Sequence, residues 1–133
     1  MKIEKMQEDI NATNYWDAEI LDFRINFFGD EIELIFEDTK DFDYSIKFIH
    51  CYKLSYEDTD QLDRSTDRLT RNFTRGQLGY YAHDISISDS SIDEFIDAKL
   101  TIAPLFANIT FKMMEVNRIP HVESDYFWNK NGA

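Results

Sequence analysis

Between Asp17 and Asp38 apolar and polar residues alternate with a period of two, stop at Gly29-Asp30, and resume. AEILDFRINFF followed by EIELIFED predicts two antiparallel strands around a two-residue turn, with Gly29 supplying the positive φ such turns need. In that register Phe27 faces Ile32, Ile25 faces Leu34 and Phe23 faces Phe36 on one apolar side. Asn26 faces Glu33 and Asp22 faces Glu37 on the other. A slip of one residue would mix the two sides, so the alternation specifies the pairing.

The same period returns three more times. From Phe42 to about Ser55, Phe42, Tyr44, Ile46, Phe48, His50, Tyr52 and Leu54 share one face of a third strand. Ile49 and Cys51 interrupt its polar face, which predicts partial cover on that side near Ile35. Gln77 to Ser88 alternates with Tyr81, His83, Ile85 and Ile87 on one side, and Lys99 to Ala103 forms a further short strand ended by Pro104. Phe106 to Val116 sets Ala107, Ile109, Phe111 and Met113 against Asn108, Thr110, Lys112 and Met114.

Four stretches do not alternate. Residues 1–16 fit either a short helix or an extended lead-in. In 57–76, Leu62, Leu69 and Phe73 recur at helical spacing beside a stripe of Arg64, Arg68, Arg71 and Arg75, with Gly76 as a C-cap. The many Ser, Thr, Asp and Asn residues equally fit a charged loop with a turn or two of helix. Ser91-Ile92-Asp93-Glu94 has the form of a capping box and predicts a short helical turn. The tail from Pro120 to Ala133 carries Tyr126-Phe127-Trp128, which is expected to dock on the chain's own surface or to meet a partner. Together the pattern predicts an all-β or β-rich α+β chain of about six strands, an antiparallel sandwich or partly closed barrel over residues 1–133.

Composition sharpens this. Hydrophobic residues make up 43% and aromatics 15%, enough for a β-rich core of its own. Acidic residues outnumber basic ones 26 to 14, a net charge of −12. Such a surface repels nucleic-acid phosphates and anionic lipid, and attracts a basic protein. Cys51 is the single cysteine, so no intrachain disulfide or thiolate metal site is available. The N-terminal MKIEKMQEDI has no apolar core of a secretory signal, and no run reaches the roughly 18 apolar residues of a membrane span. A cytoplasmic protein is expected, in which the N-x-T triplets at Asn11, Asn72 and Asn108 are chance.

Candidate chemistry is sparse. No Gly-rich phosphate loop, HExxH, CxxC or GxSxG occurs. His50 and His83 lie on apolar strand faces without a partner histidine, and His121 stands alone. A strand points His50 and Cys51 to opposite faces, which opposes a Cys–His nucleophile pair. Asp22 and Glu37, opposite each other on the hairpin, are the one carboxylate pair to consider for acid–base work, but a solvated face with Arg24 compensating accounts for them better. Asp89, Ser91 and Asp93 mimic the start of a calcium loop, but Glu94 and Leu100 stand where Gly and a bidentate acid belong. The arginine stripe is the one concentration of positive charge, with Asp60–Arg64 and Asp67–Arg71 spaced as ordinary helix pairs. No cofactor or metal is expected.

Tyr15-Trp16-Asp17-Ala18-Glu19-Ile20-Leu21 resembles the F-H-D-A-E-V-L signature that opens a group of small bacterial proteins, some of them immunity proteins of polymorphic toxin systems and many uncharacterised. There the signature leads into a strand, an acidic turn and a second strand, as Asp17 to Asp38 does. Asn108-Ile109-Thr110-Phe111-Lys112 resembles the closing I-x-F strand of that group. Trp16 takes the usual His position, so no polar role of that His carries over; Asp17 and Ala18 do match. The resemblance implies a non-enzymatic, β-rich protein that blocks a toxin domain.

On that basis the partner-binding residues are expected to be Trp16, Asp17 and Glu19, with Glu37, Asp38, Asp41 and Asp43 at the charged turn, meeting a basic toxin domain. Two other classes stay open. One is a structural or homodimerising domain that uses the aromatic tail and an open sheet edge. The other is a carboxylate-dependent enzyme.

Overall fold

The computed structural model describes residues 2–129. In one sheet β1 (Ile20–Asn26), β2 (Glu31–Glu37), β3 (Phe42–Ile49) and β8 (Met113–Pro120) lie side by side in that order. In the other the order is β4 (Lys53–Asp58), β7 (Leu105–Phe111), β6 (Ile96–Ile102) and β5 (Asp84–Asp89). All pairings are antiparallel and the sheets do not close into a barrel. The β-rich sandwich is therefore the one the alternation predicts.

Among the described residues the strands number eight, because two stretches that read as single strands each cross from one sheet to the other. The chain from β3 to β4 runs antiparallel to the chain from β7 to β8. Ile49 pairs with Met113 and Lys53 with Thr110, so His50, Cys51 and Tyr52 stand opposite only Phe111 and Lys112. One extra residue is a bulge, which bends and twists the strand that carries it. His50 takes φ +58 at this corner, and Lys112 N–H donates to the Ile49 carbonyl at 3.2 Å. The bend explains why the inward parity of 106–116 fails at its end. Phe111 is buried, but Met113 is 48% exposed, while Met114 and Val116 pack on the core.

The hairpin forms with a different register. Ile25 pairs with Ile32, Phe23 with Leu34, Arg24 with Glu33, and Asp22 with Ile35, with a bulge between Ile20 and Asp22. The turn takes four residues, Phe27 to Asp30, and Phe27, Phe28 and Gly29 all have positive φ. The slip is two residues, so the side chains from Asp22 to Asn26 keep their faces while their partners change, and past the bulge Leu21 turns to the outer face beside Ile35.

The main core lies between the sheets. Ile32, Leu34, Phe36, Ile46 and Phe48 meet Ile85, Leu100, Ala107, Ile109 and Phe111. The first sixteen residues contain a helix, α1 (Lys2–Asn11), whose Met6 and Ile10 enter this core. Its Gln7 donates to the Ile85 carbonyl and accepts from the Ile87 N–H, at 2.9 and 2.8 Å. That occupies the outer edge of β5, which would otherwise be free to pair with another chain.

Of the stretch 57–76, Glu57 and Asp58 end β4, and the rest is a loop with three short 3-10 turns, at Thr59–Leu62, Thr70–Asn72 and Arg75–Gln77. Ser91 to Glu94 sits in the β5–β6 hairpin turn, not in a helix. Tyr81 and His83 are exposed, Ala82 is buried, and the inward alternation starts only at Ile85. The expected cover on the second face exists, centred on Leu21 and Ile35. Phe73, Leu78, Tyr126 and Trp128 close over those two side chains, and the Trp128 indole N–H donates to the Leu21 carbonyl at 2.9 Å. The aromatic tail thus docks on its own chain, with Phe127 alone of the three left 41% exposed.

Candidate functional site

After α1 the chain turns sharply through Asn14 and Asp17, both at positive φ, where short polar side chains are tolerated best. The turn stacks Trp16 on the buried Tyr15 ring at 4.2 Å and leaves Trp16 47% exposed. Asp17 N–H donates to the Ala82 carbonyl at 2.8 Å, and Glu19 forms a bridge with Tyr81, fixing the segment across both sheets. The end of β2 comes alongside, with Glu37 N–H donating to the Glu19 carbonyl at 2.9 Å. Trp16, Asp17, Glu19, Glu37 and Asp38 therefore line one open cleft of about 450 Å³, with Tyr81 on its far wall.

Two arginines pair with its carboxylates. Arg75 Nε donates to Glu19 at 3.0 Å and its terminal nitrogen to Glu37. Arg118 reaches Asp38 at 2.7 Å while lying over the Phe42 ring. Two arginines against four carboxylates leave the cleft negative, and the exposed Asp41 on the adjoining turn adds to it.

Five of the seven expected binding residues are thus together and a sixth is next to them. Asp43 is not with them. In the register it stands opposite Glu37 on the same outer face of the first sheet, but there it is covered and fully buried. One carboxylate oxygen accepts the Tyr126 hydroxyl at 2.6 Å and pairs with His121 Nδ1 at 2.7 Å, while the other has no partner. Its role is to hold the tail. Its alternation in β3 is that of an exposed acid, and only the tail above it makes it a buried one.

His121, which stood alone in the sequence, is the residue that pattern reading passed over. Its ring bridges Asp43 and Glu123 and stacks toward Tyr126. Burial pushes its pKa down, but the hydrogen bonds to Asp43 and Glu123 outweigh that and hold it above the usual histidine value. Burial raises the Tyr126 phenol, reinforced by the Asp43 carboxylate. Beside them Arg24 donates to Asp22 at 2.8 Å and to the Asp125 carbonyl at 3.0 Å, and Ser45 donates to Glu33.

The other candidates come apart. Asp22 lies opposite Ile35 and pairs with Arg24, whereas Glu37 is held by Arg75, so the carboxylate pair does not exist. His50 is exposed at the corner, 3.6 Å from Asp30, and its neighbour Cys51 has its thiol pushed up to about 11 by burial. That thiol is a poor nucleophile. Without a helix the arginines form no stripe. Arg64 lies inside the loop over Phe73, and Arg75 serves the acidic cleft. Among the described residues no three His, Cys, Asp or Glu side chains are arranged to hold a metal ion.

The comparison with solved structures finds an uncharacterised protein from Neisseria gonorrhoeae, 11% identical, with a TM-score of 0.47 over 77% of this chain and 92% of that one. No curated protein matches. The family model for immunity protein PIM7 matches residues 2–118, from α1 into β8, which spans the acidic cleft and both sheets. The chain belongs to the PIM7 family of immunity proteins.

Proposed function

We propose that this chain neutralises a basic toxin domain by binding it, with the acidic cleft at Trp16, Asp17, Glu19, Glu37 and Asp38 as the contact surface. The observation that carries the reading is the convergence of these five side chains, from two separate segments, around one exposed tryptophan. Trp16 supplies a rigid anchoring ring, and the surrounding carboxylates raise the encounter rate with a positive surface. The chain performs no reaction in this reading; it covers the toxin's working surface.

Co-expression with the toxin encoded beside its gene tests this. Growth restored by the wild type and lost with Trp16→Ala/Asp38→Asn supports it. No rescue by the wild type overturns it. The dimerising alternative loses its main support, because the aromatic tail is spent inside the molecule.

A further inference from the structure

Beyond the acidic cleft, and only the Glu19–Tyr81 bridge away, the two sheets part. The edge strands β1 and β4 diverge and leave an apolar groove of about 290 Å³. Tyr80 closes its cleft-side end, where Ile20 N–H donates to the Tyr80 carbonyl at 2.8 Å. Phe23, Ile25 and Tyr56 form its walls, and Phe127 lies over one side. The groove belongs to the surface: Ile25 is 46%, Tyr56 55% and Phe127 41% exposed. One step past Ile25 and Asn26, the hairpin tip presents Phe27 at 73% exposure and a wholly exposed Phe28, both in the left-handed region that bulky side chains seldom occupy.

Isolated exposed apolar residues are ordinary, but a groove running into two bare phenylalanines is a contiguous patch of the kind that marks an interaction surface. The edge is also protected against plain strand addition. Phe23 N–H is taken by the Asp22 side chain at 2.9 Å, and Arg24 folds back over Tyr126. What the groove offers is a recess for a side chain.

The rim decides the occupant. Asp58 lines the groove, and Glu57, Asp60 and Asp63, its neighbours along the chain, are exposed, so this side carries the same negative sign as the cleft. A second copy would bring another −12 against this rim, whereas a basic protein is attracted to it.

We propose that the β1–β4 groove and the Phe27–Phe28 tip form the apolar half of the toxin-binding surface, receiving a bulky apolar side chain that projects from a basic surface of the toxin. This rests on the toxin-binding reading of the acidic cleft and extends it along β1. The cleft then sets the encounter rate and the groove the residence time. Anchors in recesses of this type control dissociation, while rim charges act mostly on association.

The test measures binding of the purified domain of the adjacently encoded toxin to the full chain, by surface plasmon resonance. Tyr56→Lys and Phe28→Ala are compared with Ile92→Lys, an exposed apolar position in the distant β5–β6 turn. Thermal melts of each variant establish that it folds as the wild type does. The expected result for Tyr56→Lys is dissociation about thirtyfold faster with association changed less than threefold. Phe28→Ala should give a smaller loss of the same kind, and Ile92→Lys none.

Unchanged dissociation in both Tyr56→Lys and Phe28→Ala, with Trp16→Ala/Asp38→Asn still weakened, overturns the groove and leaves the cleft standing. No binding by the wild type overturns both. Wild-type sedimentation as a dimer that Tyr56→Lys dissociates, with toxin kinetics unaltered, assigns the groove to a second copy and also overturns the proposal.

Discussion

His121→Ala removes the only cationic partner that the described residues give to Asp43, whose carboxylate is fully buried and has one oxygen without a partner. Taking one member from a buried pair leaves a charge with nothing to offset its desolvation, which costs roughly 3–5 kcal/mol. The lower end applies here. The His121 side chain keeps 9% exposure, and the Tyr126 hydroxyl still donates to Asp43 after the change. A loss of about 3 kcal/mol, divided by an unfolding entropy of ~2.1 cal/mol/K per residue, lowers Tm by about 10 °C for a chain of this size. In His121→Ala/Asp43→Asn the orphaned charge is gone. Only neutral hydrogen bonds are lost, so the cost falls to about 1–2 kcal/mol. The double variant is therefore expected to be more stable than the single one.

The pH dependence has a definite sign. His121 has its folded pKa raised, so its contribution is fully present below the unfolded histidine value of about 6.5 and is lost as pH rises through the folded pKa. Urea unfolding of wild type and His121→Ala from pH 5.5 to 8.5 should show a gap that is widest at the acid end and narrows toward the alkaline end. Equal stability of the single and double variants, or a gap that grows with pH, refutes the assignment of Asp43 and His121 as the tail's anchor.

Three further outcomes follow from the same contacts. Trp128→Ala empties the cover over Leu21 and Ile35 and breaks the indole bond to Leu21; it should cost about 3–5 kcal/mol and expose the outer face to a hydrophobic dye such as ANS. Arg75→Met releases Glu19 and Glu37 on a partly exposed surface, so its stability loss should stay near 1 kcal/mol or less. It should also speed association with a basic toxin domain several-fold at low salt and leave the rate unchanged at high salt. Cys51, with its thiol pushed up to about 11, should react with iodoacetamide at pH 8 about a hundredfold more slowly than a model-peptide cysteine, and unfolding in urea should remove the difference.

The sandwich was legible because its core alternates: Ile32, Leu34 and Phe36, then Tyr44, Ile46 and Phe48, then Ala107, Ile109 and Phe111, read as strands before any partner is known. The hairpin slipped by two residues because alternation fixes only parity; which even step the turn selects depends on Phe27 and Phe28 tolerating positive φ, and no residue type announces that. The corner at His50 was hidden for a related reason, since a bulge inserts one residue into a pattern that continues on both sides of it. The expected binding residues divided in the same way. Trp16, Asp17, Glu19, Glu37 and Asp38 share one cleft because strand ends and turns bring together residues that are polar or aromatic where a core is not needed. Asp43 was misplaced and His121 missed because both depend on a segment far along the chain folding back over the sheet.

That segment also separates two kinds of constraint in this molecule. The family match ends at residue 118, before His121, Tyr126 and Trp128, yet those three side chains bury Asp43. Without the tail, Asp43, Ser45 and Ile35 would form an ordinary open sheet face carrying one more carboxylate beside Asp41 and Asp38. With it, one acid is withdrawn from the negative end and an aromatic stack carrying Arg24 and Arg75 is set against the outer sheet. Arg75 joins the two regions, since the guanidinium that lies over Trp128 is the one that holds Glu19 and Glu37. Docking of the tail therefore bears directly on how much negative charge the cleft shows to a partner. Trp128→Ala should loosen Arg75 and change the association rate with a basic domain as well as the stability, whereas an equally destabilising change in the main core, such as Ile109→Ala, should lower stability and leave that rate alone.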